Sequence, residues 1–208
     1  MVAPSSPREL HRQPARLPRE QRREHFLDVA AELIAETGLD SVTMEAVAAR
    51  AGVSKGLGYA YFENSADLLV ALFDREMAAL DRQVVAALAE AGTFEGKLRA
   101  TLVTWFALVA ERGPLLAALF VPKVDGALAS RRHARNREVE RFWADMAVRE
   151  YGLDQSLAEA AASILLAGTN GALAQWGERR ASRTELIDLF VTMTTGALDA
   201  LRTAAQRG

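Results

Sequence analysis

The chain contains no cysteine. That excludes a disulfide scaffold, a thiolate zinc site and a cysteine nucleophile. Its three histidines, His11, His25 and His133, lie far apart with no metal-ligand spacing, and there is no HExxH and no glycine-rich phosphate loop. An enzyme needs a positioned nucleophile, an acid–base pair or a metal set, and none is visible. No catalytic activity, metal or cofactor is therefore expected. No uninterrupted apolar run reaches the roughly 18 to 20 residues that span a bilayer, and the N-terminus has charge without the apolar segment of a secretory signal. No membrane is expected, and the cytoplasm is the default compartment. Strand signals are scarce, and no internal repeat is visible. A strong positive balance is missing too: the formal net charge is −2, which argues against a surface that binds nucleic acid indiscriminately.

What is present is apolar and helical. Half of the 208 residues are hydrophobic, enough for a small module and a larger domain. Charge is uneven: Arg8, Arg12, Arg16, Arg19, Arg22 and Arg23 gather near the N-terminus, opposed there by Glu9 and Glu20. A basic arm of this kind suits phosphates or a minor groove. Pro4, Pro7, Pro14 and Pro18 equally suit a solvated, disordered tail.

Residues 38–68, GLDSVTMEAVAARAGVSKGLGYAYFENSADL, carry the most information. Thr43 precedes an apolar-periodic stretch, Met44, Val47 and Ala48, with Glu45 in its first turn, which is a helix start. Gly52 ends that helix because glycine tolerates a left-handed backbone. Val53 fills the angle, and Ser54 caps a second short helix running from Lys55 to about Tyr61. Two short helices joined through a glycine-containing turn form a helix-turn-helix. The second helix is poor core material: Lys55 and Gly56 stand at its tip, Tyr59 and Tyr61 further along, as suits a helix that reads DNA. Gly58 inside it costs about 1 kcal/mol relative to Ala; close approach to DNA and a poorly optimised helix both account for it. Asn64 caps the next helix with Asp67 three residues on, and Leu68, Leu69, Leu72, Phe73, Met77 and Leu80 continue it as a long apolar stripe.

On these residues the stretch from about Arg19 to Leu72 resembles the DNA-binding domain of the TetR family of bacterial transcriptional regulators. The matching features are the helix Phe26, Val29, Ala30, Leu33 and Ile34 ending at Gly38; the Thr43-Met44 helix start; Ala51 to Gly56; and Tyr59-x-Tyr61-Phe62, all without insertion. The resemblance implies that Thr43 and Ser54 touch phosphate, that Lys55 and Gly56 approach base edges, that Tyr59 and Tyr61 contact phosphate or pack at its rim, and that Val53 and Phe62 hold the small domain together. Leu57, Gly58 and Ser65 depart from the residues common in the family: threonine, leucine and lysine. Ser65 retains a hydroxyl at a helix start, and Leu57 suits a thymine methyl.

Beyond about Glu90 the pattern stays helical. Leu98, Leu102, Trp105, Phe106 and Val109 form one stripe; Gly113-Pro114 breaks it, and Pro114 suits the first turn of a new helix. Pro122 closes the apolar run Leu115 to Val121. A polar helix follows over Asp125 to Arg149, and two helices, Gln155 to Gly177 and Thr184 to Ala204, finish the chain. The last two are apolar on more than one stripe, which implies either a partner or burial within one subunit. The resemblance implies a homodimer through this helix pair, presenting two recognition helices to a pseudo-palindromic double-stranded operator, and a small-ligand site in the same domain. Trp105, Phe106, Phe120 and Trp143 are candidate ligand residues, as is Phe142, although an aromatic stripe at helical spacing is also ordinary core. Asn170, Gln175 and Trp176 are polar-capable groups on an apolar helix; a buried Asn170 needs a partner from protein or ligand, and Trp176 is expected at the dimer rim. The Arg131 to Arg141 run suits either an anionic ligand or a solvated helix face.

The expected fold is all-α: a basic arm over 1–18, a three-helix helix-turn-helix DNA-binding domain over 19–66, and a larger helical ligand-binding and dimerisation domain over 67–208. The expected function is a dimeric repressor released from its operator by a small apolar or amphipathic ligand. The alternatives are a TetR-like activator or ligand-independent regulator, and an enzyme or carrier with a degenerate DNA module.

Overall fold

The computed structural model describes residues 18–120, 126–178 and 181–207. The expectations for Arg8, His11, Arg12 and Arg16 of the arm, and for Val121 and Pro122, lie outside the described residues. Eight α-helices and no strand occur among those that are described: α1 (Arg19–Thr37), α2 (Met44–Arg50), α3 (Lys55–Tyr59), α4 (Ser65–Glu90), α5 (Phe94–Leu119), α6 (Ala127–Tyr151), α7 (Gln155–Gly177) and α8 (Arg183–Ala205). Most starts are capped by the residue type that can accept from orphan amides. Thr43, Ser54, Asn64, Thr93, Asp154 and Ser182 each accept a backbone N–H three residues on, and Ser182 with Glu185 completes a reciprocal capping box. The Asn64 cap is a variant: Asp67 reaches back to the amide of Glu63 rather than to that of Asn64.

Two hydrophobic cores stack along α5. The first gathers Phe26, Leu27 and Ile34 of α1, Val47 of α2, Phe62, and Leu68, Leu72 and Phe73 of α4, and takes in Leu108, Leu115, Leu116 and Leu119 of α5. The three-helix unit therefore packs directly on the larger part of the chain, with no gap in the apolar packing at residue 66. The second core joins Phe94, Leu98, Leu102 and Phe106 of α5 to Trp143 and Ala147 of α6, Ala158 and Ala162 of α7, and Ile187 and Val191 of α8. Within the part that serves the first core, α5 kinks. Arg112 takes φ −122° and ψ 24°, just ahead of Pro114, whose ring cannot follow a straight helix. The expected break at Gly113-Pro114 is thus a kink within one long element, set inside the stretch that serves the first core, to which Leu108 before it and Leu115 after it both belong.

Several expectations change. The second short helix stops at Tyr59, two residues early. The arginine run of α6 is divided: Arg137 and Arg141 are exposed, whereas Arg131, Arg132 and Arg135 turn toward the protein. Arg131 donates to Asp74 of α4 at 2.6 Å, Arg135 forks onto Asp81 of α4, and buried Arg132 donates to the Leu119 carbonyl at 3.3 Å. These side chains bind α6 to α4 and to the end of α5. Trp176 is half-buried and packs on Phe106 within the chain, ring centroids 5.4 Å apart. Finally, α5 and α7 are long and apolar enough, by composition, to cross a membrane. The sequence reading, which looked for an unbroken run, expected no such segment; core helices of globular chains meet the same average. α5 serves both cores, and α7 keeps an exposed apolar side.

Candidate nucleic-acid interface

α2 and α3 meet through a four-residue turn, Ala51 to Ser54. Gly52 takes φ +68° there, a left-handed value that only a residue without Cβ adopts freely. The amide of Val53 returns to the Ala48 carbonyl at 3.0 Å, and its side chain packs against the first core, so the turn is braced from inside. Gly58 has a clear reason that neither sequence-based account supplied. It is buried on the side facing α2, and a Cβ there would lie 3.2 Å from Met44 Cε and 3.9 Å from Ala48 Cβ. The missing side chain serves the approach of α3 to α2, not an approach to DNA.

The residues expected to face DNA divide into two groups. Thr43, Ser54, Lys55, Gly56 and Tyr59 are exposed. The Thr43 hydroxyl accepts from the Ala46 amide at 3.1 Å and the Ser54 hydroxyl from the Leu57 amide at 3.3 Å. A hydroxyl used this way keeps its own proton to donate to a phosphate oxygen. Leu57 and Tyr61 are half-buried and pack against the first core. Tyr61 lies against Phe26, centroids 5.5 Å apart. Ser65 is the first residue of α4 and is half-buried.

The electrostatics hold a feature that the sequence reading missed. Lys55 Nζ is engaged by the Glu45 carboxylate across the helix-turn-helix, and also lies 5.6 Å from the centre of the Tyr59 ring. The hydrogen bond to Lys55 holds the Glu45 carboxyl below the usual carboxylate range, and the same bond raises Lys55. The cation at the reading tip is thus masked by an acid ten positions earlier. The clue was in the sequence: Glu45 is exposed at the start of α2, on an element that must cross α3. Other cations frame the unit. Arg19 and Arg23 lie over the rings of Tyr61 and Phe62 at 6.0 and 5.3 Å, and Arg50 is held by a bidentate pair to Glu36 at 2.5 and 2.6 Å. Arg50 therefore ties α2 to α1.

A second candidate site lies in the larger part. A cavity of about 400 Å³ sits among α4, α5, α6 and α7, within the usual range for small-molecule sites. Trp105, Phe120 and Trp143 line it, with Phe142 beside them. Phe106 does not: it is fully buried in the second core. Asn170 does not either, since it is exposed on α7 while its neighbour Thr169 reaches the cavity wall. The sequence argument for Asn170 assumed burial, and the helix turns it outward. Along α7 and α8, Ile164, Leu189 and Met193 are 73%, 56% and 65% exposed. They flank the crossing where a Cβ on Gly168 would lie 2.8 Å from Phe190 Cε2.

Residues 26–72 match the family model of the bacterial regulatory proteins of the tetR family. The helix-turn-helix module is therefore of the TetR type. It is 33% identical over 85 residues to the fatty acid metabolism regulator protein of Bacillus subtilis, covering 41% of this chain and 44% of that one. It spans, that is, less than half the length of that relative. It is 29% identical over 195 residues to the transcriptional repressor KstR of Mycobacterium tuberculosis, covering 86% and 83%. Among solved structures, the regulator FadR of Bacillus subtilis in complex with stearoyl-CoA superposes with a TM-score of 0.68 at 20% identity, over 82% of this chain and 96% of that one. At that identity the likeness is one of fold, and it runs along the whole helical architecture rather than the matched module alone.

Proposed function

We propose that this chain is a homodimeric, sequence-specific repressor of the TetR family that leaves its operator when a small apolar or amphipathic molecule enters the cavity among α4 to α7. The observation that carries the reading is the span of α4. It begins at the Asn64 cap, five residues after the last residue of α3, and its later turns put Met77, Leu80 and Val84 into the cavity wall. One rigid element thus connects the reading helix to the ligand space, and a ligand acts by preferring one placement of α4 over another. Thr43, Ser54, Lys55, Gly56 and Tyr59 make the contacts to double-stranded DNA, with Leu57, Tyr61 and Ser65 set at their edge. Trp105, Phe120 and Trp143 surround the ligand. The apolar face of α7 and α8 meets its copy, and the two-fold axis matches a pseudo-palindromic operator. The Bacillus subtilis regulator crystallised with stearoyl-CoA and the fatty acid metabolism relative favour a lipid-like ligand, and the KstR likeness along most of the chain favours repression. Such a protein works on the chromosome and hence in the cytoplasm.

In-vitro selection from random duplex DNA, at near-physiological salt, tests the reading. We expect an enriched inverted repeat that the Lys55→Ala variant binds more weakly while remaining folded. No enrichment, or unchanged affinity on Lys55→Ala, would refute the assigned reading face. Reconstituted transcription on the enriched site then separates repression from activation.

A further inference from the structure

Resting on the ligand-cavity reading above, we infer that the ligand class is an apolar molecule with an anionic head, and that the head takes Arg135 from Asp81. The cavity wall is mostly aliphatic and aromatic. Among its described lining residues the charged groups are Asp81, Arg135 and Glu138, so Arg135 is the single cation there. Its guanidinium forks onto the Asp81 carboxylate, with Nη1 donating to Oδ2 at 2.8 Å and Nη2 donating to Oδ1. That fork accepts any carboxylate or phosphate of the same geometry.

Exposure decides which partner a ligand displaces. The Arg135 side chain is 19% exposed and that of Asp81 is 43% exposed. An anion that replaces Asp81 leaves the guanidinium with its two charge-assisted bonds and sends the wetter carboxylate to water. A cation that replaces Arg135 instead leaves the drier guanidinium without a counter-ion, which is the costlier outcome. Glu138 also lines the cavity and opposes an anion at its own end; Arg131, 3.8 Å away, offsets part of its charge. The head is therefore directed to Arg135, and the tail to Leu80, Leu98, Trp105 and Trp143.

The exchange has a mechanical result. Two ion pairs join α4 to α6: Arg131 to Asp74, and Arg135 to Asp81. Arg131 and Arg135 are one turn apart on α6, and their partners two turns apart on α4. Giving up the second pair releases the far half of the clamp on the helix that leads to the reading unit. An anionic ligand then binds better to the state with α4 released, which is the differential affinity that the switch requires.

The test is a calorimetric titration of the full chain with dodecanoate, dodecanol and dodecylamine, each below its micellar concentration. We expect dodecanoate to bind at least about tenfold more tightly than either of the others, the usual worth of a charge-assisted bond. Arg135→Gln should bring dodecanoate down to the level of dodecanol while leaving dodecanol unchanged. Asp81→Asn, which removes the competitor, should strengthen dodecanoate. Equal binding of dodecanoate and dodecanol, or tightest binding of dodecylamine, overturns the exchange and leaves the cavity reading standing. Should Arg135→Gln fail to fold, unchanged dodecanoate affinity in Asp81→Asn overturns it alone. Binding of none of the three rejects the ligand cavity itself, and this inference with it.

Discussion

Replacing Glu76 by glutamine measures how firmly the two halves of the molecule are joined. Glu76 is 3% exposed and sits where α1, α4 and the α5 kink converge. Arg112 Nη1 donates to its two carboxylate oxygens at 3.2 and 3.1 Å, and Arg75 Nε and Nη2 donate to Oε1 at 3.3 and 3.1 Å. Arg75 then crosses to Asp28 at 2.7 Å and Glu24 at 3.3 Å, both on α1. Glutamine keeps the shape and one acceptor but removes the charge, and turns an amide donor toward guanidinium donors. Breaking a buried pair costs about 3–5 kcal/mol when the partner is left dry. Here the partners are 22% and 41% exposed and are left wet, so the loss should be smaller, about 2–3 kcal/mol. For a chain of this size each kcal/mol moves Tm by about 2–4 °C, giving a fall of roughly 4–12 °C. The assay is thermal and urea unfolding by circular dichroism at fixed protomer concentration, in low salt and in 1 M NaCl. A buried cluster is poorly screened, so the loss should survive high salt. A change below about 0.5 kcal/mol, the scale of an ordinary surface substitution, or a loss that vanishes in salt, refutes the reasoning.

Three further outcomes follow from the same geometry. Glu45→Gln frees Lys55, so operator affinity should rise and the slope of log K against log salt should steepen by about 0.9, read by fluorescence anisotropy; an unaltered slope would show that Lys55 meets no phosphate. In the unmodified chain the Glu45 carboxyl is lowered by Lys55, so the pair is present above its ordinary titration range and is lost only as pH falls through that lowered value. Gly58→Ala sets a helix-propensity gain of about 1 kcal/mol against the 3.2 Å contact with Met44 Cε; any loss of operator affinity should come with a loss of stability, and weaker binding at unchanged stability would return Gly58 to the DNA face. Leu189→Glu with Met193→Glu puts two charges on the exposed apolar face of α8 and should yield monomers by sedimentation velocity; a persistent dimer would place the interface elsewhere.

Much of this protein was legible in local chemistry. Caps at Thr43, Ser54 and Asn64, and the glycines at 38 and 52, mark helix ends through short-range hydrogen bonds and backbone sterics, so a linear reading finds them. Apolar periodicity likewise located the faces of α1, α4 and α5. Glu76 was overlooked although it interrupts the stripe Leu72, Phe73, Met77 and Leu80 at a position that must point inward; a charge there signals a buried partner. The ligand candidates fared unevenly for a related reason. Trp105 and Phe106 are adjacent and chemically alike, yet the helix sends one to a cavity and the other into a core.

The sequence by itself determined the reading unit, because caps, turn glycine and spacing act within a few residues and the TetR pattern is written in them. It also determined the helical class, since period and propensity are local. Only the tertiary structure decided the partners of charge. Lys55 with Glu45, Glu76 with Arg112, and Arg135 with Asp81 join residues on different helices, and an ion pair depends on distance in space rather than along the chain. The same holds for Gly58, whose reason is the side chain of Met44 packed across the turn.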